Sequence, residues 1–304
     1  MKLAVEFPSV AYREGPAAII KLAKAIEAIG YDQLDMFDHV VMGYPTNSRS
    51  APMYPPKMPI MEALMVLSYV AAVTSTIGLG TEVLVLPQRQ PTLVAKQIST
   101  LDTLSGGRVR LGVGVGWQKA EYEALGVDFE NRGKRMDESI RLLRAFWGDS
   151  QIDFAGEFHH LEAIAMEPKP PQGNKLPIWI GGNSKRAFRR IGELGNGWLA
   201  TSIVDPMVAK SSIEAIRRHT EEAGRNPDDI EFQQMLDLPP TEKSGKNFYA
   251  DLDKVEARAI AVKEMGFEWG TVNATAIFQS GARSVDEIID NLKLVHDRLR
   301  VATG

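Results

Sequence analysis

A chain of 304 residues can bury a large hydrophobic core and lies just above the usual length of one (β/α)8 barrel. Its 44% hydrophobic and 24% charged residues are ordinary for a globular protein, and a formal charge of -4 excludes the basic excess of a nucleic-acid-binding protein. The lack of cysteine excludes disulfides and thiolate nucleophiles, so redox chemistry would need a bound organic cofactor. Without a secretory leader or an apolar run of membrane-spanning length, we expect a cytoplasmic protein with no membrane partner.

Short apolar runs alternate with longer segments of helical period along the chain, which is typical of a parallel sheet wrapped by helices. Eight such units predict a (β/α)8 TIM barrel in one domain over residues 1–304. The predicted strands are 2–7, 33–37, 77–86, 109–115, 177–180, 197–201, 230–236 and 269–274. The predicted helix after the first strand ends at Gly30. The other predicted helices cover 60–74, 91–104, 132–147, 185–194, 206–223, 251–265 and 285–299.

Two segments interrupt this alternation. The loop after the second strand is long and carries five prolines between positions 45 and 59. Residues 151–176 form an insertion between strands four and five, in which Phe154, Phe158 and Leu161 around Gly156 predict a small hairpin. Because the elaborate loops mostly follow strands, we expect the active site at the carboxyl ends of the barrel strands.

Asp38 and His39 directly follow the second strand, at the predicted mouth of the barrel. A histidine titrates near neutrality and can give or take a proton, and an acidic neighbour favours its charged form. The pair is therefore a catalytic candidate. The alternative is a hydrogen-bonding pair that starts a loop.

The fourth strand ends in alternating glycines, LGVGVGW at 111–117. Glycines such as Gly114 and Gly116 let a flat ring or a phosphate approach the backbone. The alternative is that they relieve crowding at the barrel rim. The pattern is not the dinucleotide fingerprint, because the third glycine is not at the required offset.

The fifth strand runs through two glycines into a helix, IGGNS at 180–184. Free N–H groups and the positive end of the helix dipole favour an anion there, with Asn183 and Ser184 as donors or caps. This predicts a phosphate site, and the alternative is an ordinary turn capped by Ser184.

Metal and hydrolase sites are not favoured. The five histidines do not repeat at a ligand spacing, and the adjacent His159 and His160 would point to opposite faces of a strand. We therefore expect no metal. No Gly-x-Ser-x-Gly elbow and no P-loop occur in the sequence.

Taken together, these stretches resemble the luciferase-like flavin-dependent oxidoreductases, in particular the branch that uses coenzyme F420. The resemblance covers nearly the whole chain. It is carried by FDHV at 37–40, LGTEVLVLP at 79–87, QISTLDTLSGGRVRLGVGVGW at 97–117, PIWIGGNS at 177–184 and GNGWLATS at 195–202.

The resemblance implies a role for each matching position. His39 would lie beside the redox ring as a proton donor or hydrogen-bonding group, and a cis peptide bond between Glu82 and Val83 would form a bulge behind that ring. Residues 181–184 match the phosphate loop of the family. The positions implied to hold the cofactor are Asp38, Glu82, Val83, Gly114, Gly116, Gly181, Gly182, Asn183 and Ser184.

The sequence also departs from relatives that oxidise glucose 6-phosphate. Those relatives have a glutamate where this chain has Trp117 and a lysine where it has Val204. Sugar-phosphate oxidation is therefore not favoured. Instead an apolar, aromatic pocket for an enone, ketone, imine or nitro compound is predicted, although the same side chains also suit rim packing. Its predicted members are Met42, Tyr44, Trp117 and Trp198.

The leading hypothesis is hydride transfer between coenzyme F420 and a small, mostly uncharged organic substrate. One alternative is an FMN-dependent two-component monooxygenase, which uses reduced flavin and oxygen and would have a separate cofactor reductase as a partner. A second is a non-catalytic flavin- or deazaflavin-binding protein, and a third is a metal-dependent barrel hydrolase. The resemblance also implies a homodimer.

Overall fold

Eight parallel strands form a closed barrel in the computed structural model, which describes residues 1–237 and 247–304. Each of these strands pairs with the next, and the last pairs with the first. The strands in chain order are β1 (Lys2–Glu6), β2 (Gln33–Met36), β3 (Gly78–Thr81), β4 (Leu84–Val85), β5 (Val109–Gly114), β6 (Ile152–Ala155), β7 (His160–Ile164), β8 (Ile178–Gly181), β9 (Gly197–Ala200), β10 (Glu231–Met235) and β11 (Trp269–Asn273). The predicted TIM barrel is thus confirmed, with β4, β6 and β7 as additional strands.

The helices begin and end where local residue chemistry favours it. Pro91 starts one helix, where its fixed backbone angle suits the first turn, and Gly30 ends another at φ 103°, which favours glycine. The helices are α1 (Pro16–Ile29), α2 (Ala63–Ala71), α3 (Pro91–Ser105), α4 (Lys119–Ala124), α5 (Arg132–Gly148), α6 (Lys185–Leu194), α7 (Pro206–Glu222), α8 (Leu252–Glu264), α9 (Ala274–Gln279) and α10 (Val285–Thr303). None of those in the described part of the chain combines the length and apolar character that a membrane crossing requires.

The observed elements differ from the predicted ones at three places. The third predicted strand is split into β3 and β4 at Glu82 and Val83, which are joined by a cis peptide bond. The helices α4 and α9 were not predicted, since each has only six residues and so shows no full apolar period.

The insertion between β5 and β8 contains an antiparallel hairpin of β6 and β7, with Phe154 opposite Leu161. The side chain of Glu138, on α5, accepts hydrogen bonds from the N–H groups of Glu157 and Phe158 and contacts His159. The Glu138 carboxylate thus connects the hairpin turn to α5 by hydrogen bonds.

The barrel interior below the strand ends is polar. Arg110 donates to Asp35 and Gln233, and its guanidinium lies 4.2 Å from the ring centre of Trp179 and 5.0 Å from that of Trp269. Burying this charge is offset by the ion pair and by the two aromatic faces. Both terminal nitrogens of Arg110 are therefore engaged inside the barrel.

Candidate active site

A pocket of about 350 Å³ opens at the carboxyl ends of the barrel strands. Its wall includes Glu6 from β1, Leu199 from β9 and Met235 from β10, and the long loop after β2 adds Met53 and Tyr54. The side chains thus come from positions far apart in the sequence, which is the usual construction of a TIM-barrel active site.

His39 lies in the wall of this pocket. Its side chain is 6% exposed, and its Nδ1 atom lies 3.0 Å from a carboxylate oxygen of Glu121, which is itself 1% exposed. Within residues 1–237 and 247–304, the other ring nitrogen, Nε2, has no hydrogen-bond partner. The imidazole is therefore held at one nitrogen and free to interact at the other.

Two aromatic rings surround this imidazole. The centroid of Trp117 lies 5.3 Å from that of His39 at 76°, and the centroid of Tyr54 lies 5.8 Å away at 68°. Burial raises the pKa of Tyr54 to about 12, with the charges of Glu6 and Asp237 acting in the same direction. The Tyr54 hydroxyl is therefore un-ionised at neutral pH.

Asp38 lies in the pocket wall, and its carboxylate is engaged by neighbouring residues. Its carboxylate is paired with Arg89 through two hydrogen bonds of 2.8 Å and also accepts from the Val85 N–H at 3.0 Å. The side chain is 0% exposed. Asp38 therefore ties the chain after β2 to β4 within the wall of the site.

The predicted cis bond between Glu82 and Val83 is confirmed, and Val83 lies in the pocket wall. The glycines around it leave space for its side chain. A Cβ atom at Gly114 would lie 2.5 Å from one methyl of Val83, and one at Gly181 would lie 2.9 Å from the other. Gly116, at φ +67°, gives space to Val85 in the same way. These glycines border the pocket and also make room for the valines.

Two carboxyl groups at the pocket have a raised pKa. Burial raises the pKa of Glu82 to about 8, the charge of Asp35 adds to this effect, and Arg110 opposes it. Burial also raises the pKa of Glu6 well above its ordinary value, with Glu82 acting in the same direction. Arg110 donates to Asp35 and Gln233, so its charge is already compensated inside the barrel.

The turn from β8 to α6 lies at the edge of the pocket. Gly181 and Gly182 are in its wall, Gly182 at φ 120°, and the Asn183 side chain donates to Thr201 at 2.5 Å. The Ser184 hydroxyl caps α6 by accepting from the Ala187 N–H. The predicted phosphate loop is therefore continuous with the pocket and open to solvent at residues 183 and 184.

The structure corrects the predicted substrate pocket. Trp198 is 0% exposed and lies outside the barrel wall, against Phe188 of α6 and Phe267, which precedes β11. Its indole N–H donates to the Gly182 carbonyl. The prediction for Trp198 was wrong because neighbouring strand residues face opposite sides, and here Leu199 faces the pocket.

The other three predicted pocket residues differ in position. Trp117 lies in the pocket wall, whereas Met42 and Tyr44 lie on the loop outside it. Tyr44 is 58% exposed, and the sulfur of Met42 accepts a 3.4 Å hydrogen bond from Gln118.

Sequence reasoning missed several residues of the site. Glu121 contacts His39 across 82 positions of sequence, and Arg89 contacts Asp38 across 51. The only local signal for Tyr54 is its place in the proline-rich loop after β2. In the described part of the chain, no three histidine, aspartate or glutamate side chains are grouped to hold a metal ion.

The closed barrel and the pocket at its carboxyl-terminal face define a TIM-barrel enzyme. The sequence profile of the luciferase-like monooxygenases matches residues 3–239, and the chain belongs to that family.

Among its relatives, an uncharacterised protein of Mycobacterium bovis is 37% identical over 214 residues, covering 68% of this chain and 72% of the relative. The F420-dependent glucose-6-phosphate dehydrogenase of Mycolicibacterium fortuitum is 29% identical over 295 residues, covering 88% and 84%.

Two solved structures share the fold. The coenzyme F420-dependent tetrahydromethanopterin reductase of Methanopyrus kandleri superposes with a TM-score of 0.76 at 17% identity, covering 99% of this chain and 98% of that one. A monooxygenase from Streptomyces bottropensis superposes with a TM-score of 0.80 at 18% identity, with full coverage of both chains.

Proposed function

We propose that this protein transfers a hydride between coenzyme F420 and a small, mostly uncharged organic substrate, with His39 exchanging the accompanying proton. The observation that carries the proposal is the His39 imidazole, which lies in the pocket wall with Nε2 free among the described residues. The relationship to an F420-dependent dehydrogenase over 295 residues supports the choice of cofactor.

The residues present fit a flat cofactor with a phosphate-bearing chain. Val83, Leu199 and Met235 give the pocket an apolar wall for a ring system, and Gly181 and Gly182 lead from it to the N-terminus of α6. That terminus offers backbone N–H donors and a favourable dipole for a phosphate. When bound, F420 would supply the hydride acceptor or donor.

The side chains of this chain would bind, orient and exchange a proton. Val83 would lie against one face of the ring, and the residues 181–184 would hold the phosphate. His39 would take a proton from the substrate when hydride leaves its carbon, or return one in the reverse direction. Trp117 and Tyr54, packed around the imidazole, would keep water from its faces.

The charges around the pocket favour an uncharged substrate. In the described part of the chain, no lysine or arginine lies in the pocket wall. The nearby cations are engaged, Arg89 by Asp38 and Arg110 by Asp35. A substrate phosphate placed inside the pocket would therefore find no free cation among the described residues of its wall. Burying such an uncompensated charge is strongly unfavourable.

The test is a titration of the apo-protein with F420 and with FMN, followed by tryptophan fluorescence. We expect saturable quenching by F420, weakened by N183A, and little effect of FMN. H39Q should bind F420 with nearly unchanged affinity but reduce turnover of a ketone or enone panel by about 10²-fold or more, since general acid–base catalysis contributes at least this much.

Other outcomes would point to the alternatives. Tighter binding of FMN than of F420, with oxygen-dependent turnover of reduced flavin, would favour a two-component monooxygenase. Tight F420 binding without any absorbance change of the cofactor across the panel would favour a non-catalytic binding protein. Binding of neither cofactor would refute the proposal.

A further inference from the structure

Glu121 divides its two carboxylate oxygens between the imidazole and the backbone beside it. One oxygen lies 3.0 Å from His39 Nδ1. The other accepts the Val40 N–H at 2.5 Å and the Val41 N–H at 3.4 Å. Both backbone groups belong to the loop that directly follows His39, so one buried side chain orients the ring and its loop together.

This arrangement determines which imidazole nitrogen carries the hydrogen. Burial by itself raises the pKa of Glu121, but the hydrogen bonds from His39 and from the Val40 N–H outweigh burial and hold this pKa below its ordinary value. An ionised carboxylate can only accept hydrogen bonds. Nδ1 must therefore be the donor, and in the neutral ring the lone pair is on Nε2.

We propose that Glu121 is a positioning residue, which holds His39 in the Nδ1–H tautomer so that Nε2 presents its lone pair to the pocket. The destination of the proton rests on the proposed function. When the C–H electron pair leaves a substrate alcohol or amine as hydride to the bound cofactor, the O–H or N–H bond breaks. Its electrons form the C=O or C=N bond, and Nε2 takes the proton. In the opposite direction the imidazolium returns that proton.

The neighbouring Gln118 separates this role from simple loop anchoring. Its side-chain oxygen accepts the Gly43 N–H at 2.5 Å, and its side-chain nitrogen donates to the Val41 carbonyl at 2.9 Å. Gln118 thus holds the same loop from the start of the same short helix, α4, without a hydrogen bond to the imidazole. It provides a matched control for Glu121.

The substitution E121Q should reverse the tautomer. The two backbone N–H groups require an acceptor, so the amide oxygen of glutamine should occupy the position facing Val40 and Val41. The amide nitrogen then faces His39 Nδ1 and can only donate. Nδ1 would have to accept, which moves the ring hydrogen to Nε2 and removes the lone pair from the pocket. A nearly isosteric change thereby inverts the function of the imidazole.

The experiment is long-range ¹H–¹⁵N correlation NMR of the apo-protein with ¹⁵N-labelled histidine, which distinguishes the two tautomers of each ring. The chain has five histidines, and H39Q identifies the His39 signals by their loss. His159, whose Nδ1 lies 2.8 Å from Glu138 on the hairpin, provides an internal reference that E121Q should not change.

We expect the Nδ1–H form of His39 in the natural protein and in Q118L, and the Nε2–H form in E121Q. With F420 bound, kcat of E121Q should fall by about 10²-fold or more, as for loss of a general base. An Nε2–H tautomer in the natural protein, or an unchanged tautomer in E121Q, would overturn the proposal. If E121Q does not fold, the natural protein's tautomer still decides.

The NMR result does not depend on the cofactor. An Nδ1–H tautomer that E121Q reverses, combined with no turnover of F420, would support the positioning role of Glu121 and reject the proposed function. The reverse combination, F420 turnover with the wrong tautomer, would reject the positioning role alone.

Discussion

The substitution G114A should force apart the two segments that form the base of the pocket. The added Cβ would lie 2.5 Å from a Val83 methyl, whereas ordinary carbon contacts are about 3.5–4.0 Å. About 1 Å of movement is therefore needed in a close-packed wall, and overpacking of this kind typically costs about 1–3 kcal/mol. We expect G114A to lower the free energy of unfolding by that amount.

The structure also predicts which second substitution relieves the strain. In V83A the clashing methyl is gone, and the Cβ of residue 83 would lie 3.5 Å from the new Cβ at Gly114, an ordinary contact. V83A alone should cost about 1–2 kcal/mol, since it removes two methyl groups worth roughly 0.8 kcal/mol each. The double variant should therefore be more stable than the sum of the single effects predicts, by about 1–2 kcal/mol.

The assay is urea denaturation of the natural protein, G114A, V83A and the double variant, analysed as a thermodynamic cycle. G133A provides a matched control, because its Cβ on α5 would meet only an Arg190 nitrogen at 3.5 Å. This control should be neutral or slightly stabilising. Strict additivity of G114A and V83A would refute the reasoning, because it would show that Gly114 is not small on account of Val83.

Two further results are expected. R89M leaves the buried Asp38 carboxylate with only the Val85 N–H as a partner, so it should lower the free energy of unfolding by about 3–5 kcal/mol, measured by urea denaturation. A smaller loss in D38N/R89M would identify the unpaired charge of Asp38 as the cause. For Glu82, whose folded pKa of about 8 lies above its unfolded value through burial and Asp35, stability should fall as pH rises from about 4.5 to about 8, by up to about 1.4 kcal/mol per unit. E82Q lacks this contribution, so its stability relative to the natural protein should increase across that pH range and level off above it. A difference in stability that does not depend on pH would contradict the raised pKa of Glu82.

Sequence patterns predicted the barrel because they are local. Each strand is a short apolar run and each long helix repeats its apolar residues at helical spacing, so the order of elements can be read without knowing how they pack. The short helices α4 and α9 lie below the length at which such a pattern is visible. Glycine pairs and proline-rich loops likewise indicated which ends of the strands carry the elaborate loops.

Contacts between distant segments could not be predicted in this way. Two residues that follow one another on a strand face opposite sides, and only the barrel's curvature decides that Leu199 faces the pocket and Trp198 the helices. Asp38 lies in the pocket wall as its strand-end position indicates, but its pairing with Arg89, 51 positions further along the chain, could not be predicted.

The sequence by itself determined the fold and the position of His39 at a strand end, because each depends on a run of neighbouring residues. The cis peptide bond between Glu82 and Val83 was implied only by the resemblance to the family. Only the tertiary structure decided the state of these groups. The hydrogen on His39 is placed by Glu121, 82 positions away, and the charge of Glu82 is set by burial beside Asp35. Hydrogen bonding and desolvation act between groups that closure of the barrel brings together, whatever their separation in sequence.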